Sequence, residues 1–345
     1  MRKATSADVA RRAGVSRSAV SFVLNGRADG NIAKDKQALI LAAARELDYT
    51  PNAVARSLQS QRTHTIGVVT DSIASSPYAG KLLKGATDAA LARGYLLLVI
   101  DTHQDASREA AAFTALRDRQ VDALMFAAMS LRSYDPPAQL AAGPAVLANS
   151  FDPSGALRGV VPDEVSGGRS AAGVLIEAGH RDIAYLCGTP EMVATGRRLE
   201  GFLQAVAAAG LPPATVQTAG WEINEGYDAA MDLLRAPGGG VRADRPTGIA
   251  CANDRVAVGV IIACGQLGLR VPEDLSILGY DDDEPLAATC VPGLTTVALP
   301  HREMGEHAIT LLLDAVDGGP APAGGPTTML PCPVVTRGSV AGPAF

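Results

Sequence analysis

Residues 8–27 read DVARRAGVSRSAVSFVLNGR, and this stretch decides the first domain. Thr5 stands just before it with Asp8 three positions on, the spacing of a reciprocal helix cap. Val9, Ala10 and Ala13 form a short apolar face, and Gly14 tolerates the left-handed backbone that ends a helix and turns the chain. Ser16 can cap a second helix over 17–24. There Ala19, Val20, Val23 and Leu24 recur at helical spacing and turn inward, leaving Arg17, Ser18, Ser21 and Phe22 outside. Asn25-Gly26 stops that helix, and a third over 34–47 follows, with Leu39, Ile40, Ala43 and Leu47 as its buried stripe. Two short helices joined by a glycine turn make a helix-turn-helix, whose second helix lies in the major groove of DNA. Arg17 is placed to bond guanine O6 and N7 together, with Ser16, Ser18, Phe22 and Asn25 beside it as further candidate contacts.

Charge is distributed to match. Residues 1–62 hold eleven Lys or Arg against five Asp or Glu, a net of +6, whereas the whole chain carries −6. A basic head on an acidic body suits a nucleic-acid contact made through the head. No apolar run reaches the ~18 residues of a membrane span, and the first residues lack the apolar segment of a secretory leader. A cytoplasmic protein is therefore expected. The cysteines (Cys187, Cys251, Cys264, Cys290, Cys332) are odd in number and lack C-x-x-C spacing, so buried free thiols are expected rather than a disulfide framework or a zinc site.

After the third helix comes YTPNAVARSLQ, residues 49–59. Pro51 suits a first helical turn, but a helix of about three turns is marginal alone in water and needs DNA or a second copy to hold it. The stretch DVARRAGVSRSAVSFVLNGR, followed by LDYTPNAVARSLQSQRTHTIGVV, resembles the lactose/galactose repressor family of bacterial transcription regulators. The resemblance continues through VVPDEVSGGRSAAGVLIEAGHRDIAYLCG, RRLEGF, CANDRVAVGV, DLSILGYDDDE and LTTVALPHREMGEHAITLLL, and so covers almost the whole chain. It implies paired hinge helices over the minor groove, with Leu58 wedged between base pairs and Asn52, Ala53, Arg56 and Gln59 on the DNA. An apolar wedge of this kind trades unstacking for a bent site that contacts more protein. Two positions depart from the family. Phe22 stands where the family usually has an arginine that reads guanine; phenylalanine donates no hydrogen bond but can touch a thymine methyl. Ala33 stands where a serine often caps the third helix, leaving Asn31 to substitute or the helix start to fray.

From Thr65 onward, apolar strands alternate with helices: strands at 65–70, 95–101, 123–127, 183–187, 248–252 and 276–280, helices at 82–93, 108–119, 198–209, 224–234 and 254–267. This rhythm predicts doubly wound parallel sheets in two lobes. The expected organisation is an all-α helix-turn-helix headpiece (1–48), a hinge helix and linker (49–62), and an α/β ligand-binding and dimerisation body (63–345) like the periplasmic binding proteins. Periodicity does not place the crossovers. The resemblance puts the first lobe at about 63–162 and 293–322, and the second at about 163–292 and 323–345.

Ligands of open α/β sheets sit beyond the carboxyl ends of the strands. Ser76 and Tyr78 follow the first strand in DSIASSPY. The resemblance implies that Arg198 grips an effector, that Asp254 with Asn253 accepts its hydroxyls, and that Trp221 stacks on a sugar ring. Asn253 can equally cap the following helix, and Trp221 can equally be core. Asp281-Asp282-Asp283-Glu284 reads as a solvated or hinge cluster rather than a metal site, and His180 as structural. No phosphate-binding or dinucleotide fingerprint is present: Gly238-Gly239-Gly240 follows Pro237 in a loop. The expectation is therefore a homodimeric repressor without enzyme activity or cofactor. It would bind a near-palindromic double-stranded operator under control of a small effector, a sugar first. The alternatives are a purine-type co-repressor-dependent regulator and a solute-binding protein.

Overall fold

The computed structural model describes residues 4–26, 28–49, 57, 62–74, 80–319, 325 and 327–343. Asn52, Ala53, Arg56, Leu58, Gln59, Ser76 and Tyr78 lie outside the described residues. The chain divides into two units, Met1–His64 and Thr65–Phe345.

In the first unit, α1 (Ser6–Ala13) opens on the reciprocal cap: Thr5 N–H donates to Asp8 Oδ2 at 2.9 Å, and the Asp8 amide reaches back to Thr5 Oγ1. Gly14 ends α1 at φ 66°, a conformation costly for any residue with a Cβ. Ser16 Oγ then accepts the Ala19 amide at 3.1 Å and starts α2 (Arg17–Leu24). Val9, Val20 and Ile40 are fully buried at the centre of the unit, each worth about 1.5–3 kcal/mol. The third helix, α3 (Lys34–Glu46), starts at Ala33 with no side-chain cap; Gln37 Nε2 instead donates to Ile32 O at 2.8 Å. Its buried stripe differs from expectation. Leu39 is 55% exposed, and Ala44 joins Ile40 and Ala43 inside. Only a narrow stripe of α3 fits against two helices as short as α1 and α2, and Leu39 falls off it.

The second unit contains two six-stranded sheets. The first runs β11 (Thr328–Leu330), β5 (Gly159–Pro162), β4 (Ala145–Phe151), β3 (Ala123–Ser133), β1 (Thr65–Thr70), β2 (Leu96–Asp101), all parallel. The second runs β12 (Val334–Val335), β10 (Thr295–Ala298), β9 (Ser276–Asp281), β8 (Gly248–Cys251), β6 (Ile183–Cys187), β7 (Thr215–Thr218), parallel except for β12. Continuous apolar runs such as TIGVV survive here because helices cover both faces. On the first sheet, α4 (Gly80–Ala92) and α12 (His301–Val316) cover one side and α5 (Ala106–Asp118) the other. On the second, α7 (Glu164–Glu177) and α8 (Val193–Ala208) face α9 (Ile223–Leu234) and α10 (Asp254–Leu267) across the sheet. Two one-turn helices, α6 (Ala138–Ala141) and α11 (Glu284–Ala287), complete the element list among the described residues.

The chain crosses between the sheets three times, after β5, β10 and β11. The lobe limits expected from the resemblance shift accordingly. Residues 295–298, assigned to the first lobe, pair with β9 in the second sheet, and residues 328–330, assigned to the second, pair with β5 in the first. Both segments are too short for periodicity to assign; their sheet is chosen by backbone pairing alone. One strand is less buried than its apolar sequence suggests: β2 is an edge, with Leu96 62% and Leu98 42% exposed.

Candidate functional site

In the headpiece, Ser16, Arg17, Ser18 and Asn25 are all exposed, and Phe22 is 40% exposed. The inward set Ala19, Val20 and Val23 is buried, so Arg17, Ser18 and Phe22 form the outer face of α2. Ser16 is occupied as the cap, and Asn25 donates Nδ2 to Ser21 Oγ at 3.1 Å. Arg17, Ser18 and Phe22 are therefore the outward side chains of this helix that the headpiece itself leaves uncommitted.

In the body, a cavity of about 210 Å³ opens between the two lobes. Both sheets reverse strand order beside it, between β1 and β3 and between β6 and β8, the geometry that leaves a crevice at strand carboxyl ends. Met129, Ser130 and Leu131 come from β3 and Asn149 from β4. Trp221 follows β7, Asn253 and Asp254 follow β8, Asp281 and Asp283 mark the end of β9, and Leu299 follows β10. Glu164, Met192, Arg198 and Arg255 lie on or just before helices that leave those ends.

Arg198 is 4% exposed and already engaged. Its Nε donates to Glu164 Oε2 at 2.8 Å, Nη2 to Glu164 Oε1 at 3.0 Å, and Nη1 to Ala252 O at 2.7 Å. The guanidinium also lies 3.8 Å from the centre of the Tyr280 ring and 3.5 Å from Asp281 Oδ1. Tyr280 OH donates to Glu164 Oε2 at 2.8 Å, which completes a buried network. Close helix approach makes this possible. Gly168 on α7 faces the Arg198 carbonyl, and Gly201 on α8 faces the Val165 carbonyl, each too near for a Cβ.

Asp254 is 1% exposed; Oδ1 accepts Thr296 Oγ1 at 2.6 Å and Oδ2 accepts the Asp283 amide at 2.7 Å. Burial first, and the nearby Asp281 charge second, push its pKa well above the ordinary aspartate range. Asn253 performs its capping role, accepting the Val256 amide at 2.8 Å while Nδ2 donates to Trp221 O at 3.0 Å. Trp221 packs on the second-lobe core, as one of its two readings allowed, and it also lines the cavity, with Nε1 donating to Thr189 Oγ1 at 3.2 Å.

The acidic run is only partly solvated. Glu284 is exposed and Asp282 pairs with Arg337 at 2.7 Å, whereas Asp281 and Asp283 line the cavity. Glu164, Asn149, Met129, Ser130, Leu131, Met192, Arg255 and Leu299 are lining residues that the reading of motifs passed over. Position at a strand carboxyl end was the signal available for Asn149 and Leu299. His180 is structural: its ring nitrogens meet Thr247 Oγ1 and Ala341 O, each at 2.9 Å.

Known proteins share this organisation. Residues 5–52 match the model of the bacterial regulatory proteins of the lacI family, and residues 172–340 that of a periplasmic binding protein-like domain. The ribose operon repressor of Escherichia coli (strain K12) is 35% identical over 91% of this chain and 93% of its own. The HTH-type transcriptional repressor PurR of Proteus mirabilis is 34% identical over 91% of this chain and 90% of its own. Among solved structures, the lac repressor dimer bound to operator and the anti-inducer ONPF superposes with a TM-score of 0.78 at 26% identity, covering 99% of this chain and 100% of that one. The regulator CelR in complex with cellobiose gives 0.66 at 26% identity, covering 97% and 99%. With that similarity spanning headpiece and body alike, the chain belongs to the lacI family of bacterial regulatory proteins: it is a DNA-binding transcriptional repressor with an effector-binding body, and not an enzyme.

Proposed function

We propose that this repressor acts in the cytoplasm as a homodimer on a near-palindromic operator, and that a hydroxylated small molecule of sugar size in the interlobe cavity sets its operator affinity. The outer face of α2 carries the reading. Arg17, Ser18 and Phe22 stand together on the second helix of a helix-turn-helix, on a basic headpiece. A cavity of about 210 Å³ with a tryptophan on its wall suits one small ring. Relatives named for ribose and cellobiose support a sugar. An effector that favours one arrangement of the lobes changes DNA affinity by its differential affinity for the two arrangements, and no more. Leu58 of each subunit is the wedge whose insertion that arrangement permits.

Selection of binding sites from random duplex DNA tests this. The expected product is a near-palindrome with a flexible central pyrimidine–purine step, bearing thymine where Phe22 meets the outer bases. Phe22→Arg is expected to move that position to guanine, with discrimination of about 1–3 kcal/mol. Leu58→Ala is expected to abolish the enrichment and leave salt-sensitive nonspecific binding. Unchanged operator affinity in Leu58→Ala removes the wedge.

A further inference from the structure

Two cations line the cavity among the described residues, and they differ in kind. Arg255 keeps 33% of its side chain exposed and meets Glu222 at 3.1 Å, so water screens it. Arg198 is buried, and Glu164 answers its charge with both oxygens, at 2.8 and 3.0 Å. Asp281 Oδ1 stands a further 3.5 Å from Nη2. Local structure fixes Glu164 in this place. Asp163 caps α7 by accepting the Ser166 amide, which puts Glu164 in the first turn, where the helix dipole favours a carboxylate. Three residues on, Gly167 faces the Tyr280 hydroxyl, too near for a Cβ, and that hydroxyl donates to Glu164 Oε2.

A guanidinium has five N–H groups. Arg198 spends three, two on Glu164 and one on Ala252 O, and keeps one on each Nη for a ligand in the cavity it lines. Two acceptor atoms of a neutral ligand, such as adjacent hydroxyl oxygens, fill those positions without changing the charge. A ligand carboxylate brings a third anion to one buried cation, and its repulsion by Glu164 and Asp281 offsets what the two bonds contribute. We infer that Glu164 sets the charge specificity of the effector site: it positions Arg198 to bond hydroxyl oxygens and turns away the acid of the same shape. Glu164 acts through Arg198 and is therefore a positioning residue. The inference rests on the cavity being the effector site.

The test compares glucose with glucuronate, galactose with galacturonate and mannose with mannuronate, at neutral pH, where the acids are ionised. Trp221 is the single tryptophan of the chain, and its ring centre lies 6.0 Å from the Arg198 guanidinium, so its fluorescence reports binding in this cavity. Melting temperature is followed in parallel. In the parent protein a neutral sugar is expected to perturb Trp221 at a concentration about tenfold or more below that of its uronate. Glu164→Gln keeps the shape and strands the Arg198 charge. There the ratio is expected to shift toward the uronate by about tenfold or more, and the uronate to raise the melting temperature. Glu164→Asp, which keeps the charge, is expected to keep the parent's preference. A role confined to folding weakens both ligands alike; an unmoved ratio overturns the inference and leaves the effector site standing. So does a uronate that the parent binds as tightly as its sugar, an outcome that needs no variant to fold. A sugar that stabilises the parent without any change at Trp221 places the ligand elsewhere and overturns the site as well. If neither sugars nor uronates bind the parent, iodide is set against the neutral quencher acrylamide. A larger iodide-to-acrylamide quenching ratio in Glu164→Gln upholds the charge control by Glu164, and an equal ratio overturns it.

Discussion

At the scale of single residues, Arg198 shows how a motif can be read correctly in place and incompletely in role. Its position beside the interlobe cavity followed from the resemblance carried by RRLEGF, and the structure puts it on the wall. What holds it there is Glu164, 2% exposed, from a different helix 34 positions away. No local pattern couples the two. Replacing one partner of a buried pair strands the other charge. Arg198→Met is expected to destabilise the body by about 3 kcal/mol, read from urea unfolding, and adding Glu164→Gln to recover part of that loss. A double variant no better than Arg198→Met would show that the pair is not the unit of stability here. Asp283 illustrates the converse. It read as one acid in a solvated or hinge cluster, and its place just after β9 makes it cavity lining.

Elements were the most legible level. Capping residues, glycine stops and apolar spacing placed α1 and α2 at their observed limits, because those signals are local and of known sign. Ser16→Ala removes the one side-chain bond to the Ala19 amide. It is expected to cost about 1 kcal/mol and to raise hydrogen exchange at the first turn of α2. Unaltered exchange there would mean the cap is idle. Elements fail to be legible where packing sets the outcome. Gly201 and Gly196 look alike in the sequence of α8, yet a Cβ on Gly201 meets the Val165 carbonyl and one on Gly196 meets nothing within 4 Å. Gly201→Ala is thus expected to lose about 1–3 kcal/mol by forcing α7 from α8. Gly196→Ala is expected to gain about 0.5–1 kcal/mol from helix propensity. Equal effects in a denaturation series would refute the close crossing.

Across the whole molecule, buried titratable groups link the fold to pH. His301, 2% exposed at the start of α12, is held to a pKa of about 3, by burial first and by the Arg198 and Lys81 charges second. The unfolded chain binds this proton below about 6.5, the folded chain only near 3. Its contribution is therefore intact above the unfolded value and is lost as pH falls. At pH 5 the loss is about 2 kcal/mol. His180, also lowered by burial, acts in the same direction. Asp254, whose pKa is raised, acts in the opposite one. The informative quantity is consequently the difference between the parent protein and His301→Gln, in which Asp254 cancels. The variant is expected to lose markedly less stability between pH 7 and pH 5, and identical slopes would exclude the histidine.

What the sequence determined by itself was whatever is encoded within a few residues: the helix-turn-helix, the basic head on an acidic body, and the alternation that makes doubly wound sheets. Helical period, caps and apolar runs act over one or two turns, so a linear reading recovers them. Tertiary structure alone decided which sheet takes β10 and β11, and which of Leu39 and Ala44 is core. It also decided that Arg198 arrives at the cavity already neutralised by Glu164. Each of these depends on contacts between segments far apart in the chain, where backbone pairing, helix spacing and burial of charge are settled together and leave no local trace.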